Sequence, residues 1–251
     1  MAQSIFITSA EGHSGKSSIA LGVLDALSHA TPRVGVFRSI ARSTEERDYV
    51  LEMLLEHDGV DLDYEECIGV TYDDVRADAE AALGVIVERY KAVEMQCDAV
   101  VILGSDFTDV GSPAELGYNA RIAANLDAPM VLVVPSAGRT PEQVRTAAEI
   151  VADEARVHHA RVLAIVANRV APDRLGTTRD ALARMEGNPA AYVLPSAPVL
   201  EAPTVRELMA ALDGTLLHGD EDLLDREALG FVVAAMTLPN VLDRLTEGCV
   251  V

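Results

Sequence analysis

Short, almost wholly apolar stretches recur along this chain: SIFIT at 4–8, DAVVIL at 98–103, MVLVV at 130–134 and VLAIVA at 162–167. A strand with one solvated face alternates apolar and polar residues, whereas a strand covered on both faces does not. Two further strands are expected at 33–38, after Thr31-Pro32, and at 191–194. Between them lie amphipathic stretches with apolar residues at helical spacing, at 16–30, 45–55, 73–93, 113–126, 141–157 and 174–185. Pro141 suits a first helical turn. Six or seven strand–helix units up to about residue 196 imply an α/β fold, a doubly wound and mainly parallel sheet with helices on both faces.

The segment PSAPVLEAP, 195–203, carries three prolines in nine residues and reads as a stiff, extended connector. The expected organisation is an α/β domain at 1–196, a linker at 197–203 and a second, smaller α/β module at 204–251. In that module a helix is expected at 205–212, strands at 215–218 and 228–236, and a helix at 241–245. The closing GCVV reads as the start of another strand, so the second module is expected to be incomplete.

Composition narrows the function. The longest apolar runs, such as FVVAAM at 231–236, are far too short to span a bilayer, and the N-terminal stretch does not have the pattern of a signal peptide. Three scattered cysteines, Cys67, Cys97 and Cys249, give neither a disulfide framework nor a metal spacing and point to a reducing, cytoplasmic setting. The net charge of -20 opposes binding to nucleic acid. Between Glu45 and Glu80 lie 14 acidic residues against two arginines. That run is a solvated helical flank or a docking face for a basic partner.

One motif carries chemistry. ITSAEGHSGKSS, 7–18, follows a strand and precedes a helix, as a phosphate-binding loop does. Gly15, Lys16 and Ser17 fit its second half, but Ala10 stands where the first glycine belongs and Gly12 comes two residues late. Lysine is rare, with only Lys16 and Lys91 beside 18 arginines, and one of the two falls directly after Gly15. Gly12, Ser14 and Gly15 would turn the backbone so that N–H groups and the helix N-terminus face an anion. Lys16 would reach the outer phosphates, Ser17 would hold Mg²⁺, and Ser18 an inner phosphate. His13 at the tip faces substrate or solvent. The competing reading is an ordinary strand-to-helix turn. His158-His159 ends a helix and is read as structural, since adjacent helical side chains diverge and would not share a metal.

FITSAEGHSGKSSIALGVLDAL, then GVFRSIA, VVILGSDFTDVGSPAELGYNARIAANLDAPMVLVV at 100–134, VLAIVANRV at 162–170 and APTVRELMAALDGTLLHGDEDLLDREALGFVVAAM at 202–236 together resemble the N-terminal portion of long-form bacterial phosphate acetyltransferases. That portion has a P-loop fold of the dethiobiotin synthetase and cobyrinic acid amidase type, followed by a small regulatory module of the DRTGG type. The resemblance implies a parent enzyme that interconverts acetyl-CoA and phosphate with acetyl phosphate and CoA. CoA would then belong to a C-terminal catalytic domain absent from this chain. This portion would bind a nucleotide or metabolite effector, ATP or an NADH-like one with Mg²⁺, and stabilise a homo-oligomer.

The same resemblance puts Arg38 where relatives have a lysine facing the phosphates, although a surface charge at a strand end fits as well. Asn168 matches an asparagine that reads the base, or it caps a loop turn. ATP-using relatives end their third strand with a magnesium-binding Glu. Here Leu103 takes that slot, and Asp106 either substitutes from the loop or serves as a turn residue. The alternatives are an ATP-dependent ligase of the dethiobiotin synthetase type, or a vestigial site in a domain that joins subunits.

Overall fold

The computed structural model describes residues 2–43, 46–105, 113–187 and 189–251. The chain divides into two compact units, Met1–Pro195 and Ser196–Val251. The first contains β1 (Gln3–Thr8), α1 (Lys16–Ser28), β2 (Val34–Ala41), α2 (Tyr49–Leu55), β3 (Ile68–Thr71), α3 (Tyr72–Ala77), α4 (Ala79–Glu94), β4 (Ala99–Leu103), α5 (Pro113–Asn125), β5 (Met130–Pro135), α6 (Pro141–Val157), β6 (Val162–Val170), α7 (Leu175–Leu182) and β7 (Ala190–Pro195). Seven strands form one sheet in the order β3-β2-β4-β1-β5-β6-β7, and each described pairing is parallel.

Successive residues of the central strands feed opposite layers, as the pleat requires. Phe6, Phe37, Val100 and Ile102 pack into the layer that holds Ile86 and Tyr90 of α4, Ile122 of α5 and Ala148 of α6. Ile7, Val36, Val101 and Leu103 pack into the other, with Ala20 and Leu24 of α1 and Leu51 and Leu54 of α2. Fully burying one such side chain contributes about 1.5–3 kcal/mol. The unbroken apolar character of these strands follows from this two-sided covering. The chain moves one way across the sheet after β1 and the other way after β4, so a crevice opens at the C-terminal ends of the strands near β1.

Three local expectations need correction. The single helix expected at 73–93 is two, because Asp78 is extended (φ -157°, ψ 100°) and its Oδ1 accepts from the amides of Glu80 and Ala81 at 3.0 Å each. That N-cap outcompetes one continuous helix. β3 was not expected. It lies beside β2 with Ile68 opposite Arg38, and a Cβ on Gly69 would fall 2.2 Å from the Ser39 carbonyl oxygen. Only glycine permits that approach. β2 and β6 also run on past their expected ends, which places Arg38 inside its strand rather than at its end and Asn168 inside its strand rather than after it.

In the second unit, α8 (Val205–Ala211) opens with a capping box between Thr204 and Glu207. β8 (Gly230–Phe231) pairs in parallel with β9 (Cys249–Val250), and α9 spans Leu238–Leu242. The strand expected at 215–218 does not form, and Leu217 there is 94% exposed. Of the strand expected at 228–236, two residues pair. Leu229 and Val232 donate to the Gly248 and Val250 carbonyls at 2.8 Å each, and an apolar run without a partner backbone is not a strand. Pro198–Leu200 makes a 3-10 turn within the expected extended connector. Among the described residues no helix is long and apolar enough to cross a membrane.

Candidate phosphate-binding site

The loop between β1 and α1 turns through two left-handed residues, His13 (φ 52°) and Gly15 (φ 79°). Ala10 is not among the positive-φ residues, so this turn does not need a glycine there. The turn therefore forms without the first glycine. A Cβ on Gly15 would lie 2.4 Å from Asn168 Nδ2, and that amide donates to the Ser14 carbonyl at 2.9 Å. Asn168 thus braces the back of the loop. Arg139, in the turn between β5 and α6, donates to both carboxylate oxygens of Glu11, at 2.9 and 2.6 Å, and to the Pro135 carbonyl at 2.7 Å. The hydrogen bond to Glu11 raises the pKa of the guanidinium further.

Lys16 begins α1 and is 5% exposed, and its Nζ donates to the Ser105 carbonyl at 3.0 Å. Ser105 is fixed in turn by Asn119, whose Oδ1 accepts from the Ser105 amide at 3.0 Å and whose Nδ2 donates to Ser105 Oγ at 2.8 Å. Arg38 is not a surface charge. It is 3% exposed, with Nε donating to Asp48 Oδ2 at 2.9 Å and Nη1 to the Gly104 carbonyl at 2.7 Å. Asp48 also caps α2, its Oδ1 accepting from the amides of Val50 and Leu51 at 3.1 Å each.

A cavity of about 480 Å³ opens over the loop. Its wall contains Gly12, His13, Ser14, Gly15, Lys16, Ser17, Ser18 and Arg38, as the sequence led one to expect, together with Glu11, Arg42, Asp48 and Arg169, which it did not. Asn168 touches the loop from behind. Asp106 lies outside the described residues. Leu103 is fully buried in the layer with α1 and α2 and presents no carboxylate.

An AAA domain model matches residues 3–204, and a DRTGG domain model matches residues 207–251. The chain belongs to the AAA domain family. A phosphate acetyltransferase of Nitratidesulfovibrio vulgaris is 29% identical over all of this chain and 37% of its own length. One from Synechocystis sp. is 26% identical over 98% of this chain and 37% of its own. The chain therefore spans a little over a third of the length of these curated relatives. With the DRTGG domain following, this AAA domain fits the N-terminal portion of a long-form phosphate acetyltransferase. The fold is shared with the septum site-determining protein MinD complexed with Mg-ADP from Pyrococcus horikoshii (14% identity, 80% of this chain and 84% of that one, TM-score 0.50). It is also shared with a putative plasmid partition protein from Borrelia burgdorferi bound to AMPPNP (13% identity, 89% and 94%, TM-score 0.52). The AAA domain is thus a doubly wound P-loop α/β fold.

Its cavity has the parts that hold phosphate: a left-handed glycine ahead of a helix, a buried ammonium and a buried guanidinium. Gly15 leaves the backbone bare where a side chain would collide with Asn168. Ser17, half-buried in the first turn of α1, lines the same cavity.

Proposed function

We propose that this AAA and DRTGG pair is the regulatory and oligomer-stabilising segment of a cytoplasmic phosphate acetyltransferase. The whole enzyme would interconvert acetyl-CoA plus phosphate with acetyl phosphate plus CoA, through a catalytic domain beyond residue 251. The segment itself binds a nucleotide or nucleotide-like effector in the cavity over residues 12–18 and does not transfer the acetyl group. The observation that carries this reading is the cavity itself: a loop built for phosphate, with Lys16 and Arg38 buried in its wall and the apolar Leu103 at the neighbouring strand end. Phosphoryl transfer needs a firmly held metal beside the phosphates, and an apolar strand end removes one support for it. The expected proposed partners are a second copy of the chain, the catalytic domain and a small-molecule effector.

The alternative is an ATP-dependent ligase of the dethiobiotin synthetase type, favoured by Lys16 and Ser17 standing in loop register. Calorimetry with ATP and NADH, alongside phosphate-release and acetyl-phosphate assays on residues 1–251, separates the two. Binding without turnover is expected. Phosphate release that vanishes in Lys16→Ala would establish the ligase reading, and acetyl-phosphate synthesis by this chain would overturn the regulatory one.

A further inference from the structure

We infer that Arg169 gives the cavity its preference for a nucleotide, its guanidinium lying flat against the ring system of a ligand whose phosphates occupy the loop. This rests on the effector-binding reading above and names the part of the ligand that one end of the cavity recognises. The observation behind it is an irregularity in β6. Against β7, Ala167 pairs with Val193 and Val170 with Pro195, so three steps on β6 match two on its neighbour. Such an extra residue is a β-bulge, a device that re-aims a side chain. Ile165, Ala167 and Val170 all pack into the layer of α4, α5 and α6. Regular alternation would have put Arg169 in that apolar layer and Val170 on the other side. The bulge reverses this. Val170 takes the core position, and Arg169, half-buried, lines the cavity over residues 12–18.

The backbone is strained to achieve it. Arg169 has φ 62° inside a strand. The other positive-φ non-glycines among the described residues are His13, Asp127, His159 and Asp213, types that tolerate the left-handed region. Glycine is the usual residue at a left-handed bulge position. A long side chain held there against that preference is held for what the side chain does. Strand order says what it meets. β4, β1 and β5 separate β2 from β6, about 19 Å at roughly 4.8 Å per strand. Arg38 therefore enters the cavity from one end and Arg169 from the other, with Lys16 between them and its Nζ on the Ser105 carbonyl beyond β4. A Cβ on Gly15 would lie 3.9 Å from Arg169 Nε, on the flank where Asn168 braces the loop. Phosphate held at Lys16 thus leaves Arg169 facing what the phosphate carries. Its side chain has a further interaction within the chain, so a ligand meets a guanidinium that already has a neighbour. A planar guanidinium stacks on flat aromatic rings, and about 480 Å³ suits a whole ligand rather than a phosphate alone.

Calorimetry of residues 1–251 with ATP, NADH and inorganic triphosphate, beside thermal unfolding, tests this in the parent chain, Arg169→Gly and Arg169→Asn. Both substitutions suit a left-handed backbone. The parent chain should hold one of the nucleotides at least about tenfold more tightly than triphosphate. Both variants should lose about tenfold in that nucleotide affinity, while triphosphate affinity shifts by less than about threefold. Their Tm should hold or rise by about 2–4 °C, because the strain is relieved. Unchanged nucleotide affinity in the variants, an equal loss for triphosphate, or a parent chain that holds nucleotide no better than triphosphate overturns the inference and leaves the effector reading standing. A Tm that falls in both variants also overturns it, since Arg169 would then be there for the fold. Silence of the parent chain towards both nucleotides removes the effector reading and the inference together.

Discussion

Gly15→Ala tests the brace behind the loop. Gly15 has φ 79°, and a Cβ there would meet Asn168 Nδ2 at 2.4 Å. Two effects separate. A Cβ in the left-handed region costs about 1–2 kcal/mol wherever it sits. The Asn168 amide must also swing away, losing its 2.9 Å hydrogen bond to the Ser14 carbonyl, a further contribution of about 1 kcal/mol. The expected loss is about 2–3 kcal/mol, or roughly 5–10 °C in Tm for a domain of this size. Thermal unfolding followed by circular dichroism on Gly15→Ala, Asn168→Ala and the double variant measures it. Asn168→Ala alone should lose only the hydrogen bond, about 1 kcal/mol. The double variant has no amide left to displace, so it should match Gly15→Ala within about 0.5 kcal/mol. If the two losses simply add, giving a double variant about 1 kcal/mol worse than Gly15→Ala, the collision with Asn168 is not the source and the argument fails.

Gly69→Ala should cost about 2–3 kcal/mol in urea unfolding, near the upper end for overpacking, because its Cβ would press at 2.2 Å on the Ser39 carbonyl oxygen, which cannot yield without parting β3 from β2. An unchanged midpoint would show that this edge pairing slides freely. Acid should expose the Arg33–Asp98 pair, in which two hydrogen bonds of 3.1 and 2.7 Å hold the Asp98 carboxyl below its usual pKa. A lowered folded-state pKa contributes stability above the unfolded value of about 4, lost as pH falls through the lowered value. The Tm difference between the parent chain and Asp98→Asn should therefore shrink steadily from pH 5 downwards; a gap that stays constant through pH 2.5 would assign it to something other than charge.

What the sequence disclosed follows the range of the interactions involved. The strand–loop–helix of residues 3–28 is specified locally, by an apolar run, a left-handed glycine and a lysine at the first helical position, and it forms where expected. α6 likewise forms from Pro141 to Val157, its capping box readable as Thr140 followed by Gln143. The break at Asp78 was equally local, an Asp ahead of a strong helix former, but the helical periodicity of 73–93 masked it. β3 and the abortive strands of the second unit depend instead on whether a partner backbone arrives, which no local pattern encodes. The braces of the loop join residues 154 and 128 positions apart, so neither Asn168 on Ser14 nor Arg139 on Glu11 was visible beforehand.

Arg38 lies between these cases. Val34 and Val36 face the layer of α1 and α2, and strand parity sends the third member of that series, Arg38, to the same side. A guanidinium directed into an apolar layer must find an anion or leave the strand. The sequence supplies that anion ten residues on, in Asp48, an acidic residue immediately before an apolar helical run and therefore a readable N-cap. Parity and capping, taken together, require the pair. Ending β2 at Arg38 concealed it, because a strand that stops there leaves its last side chain free to reach solvent, whereas the strand runs on to Ala41 and does not.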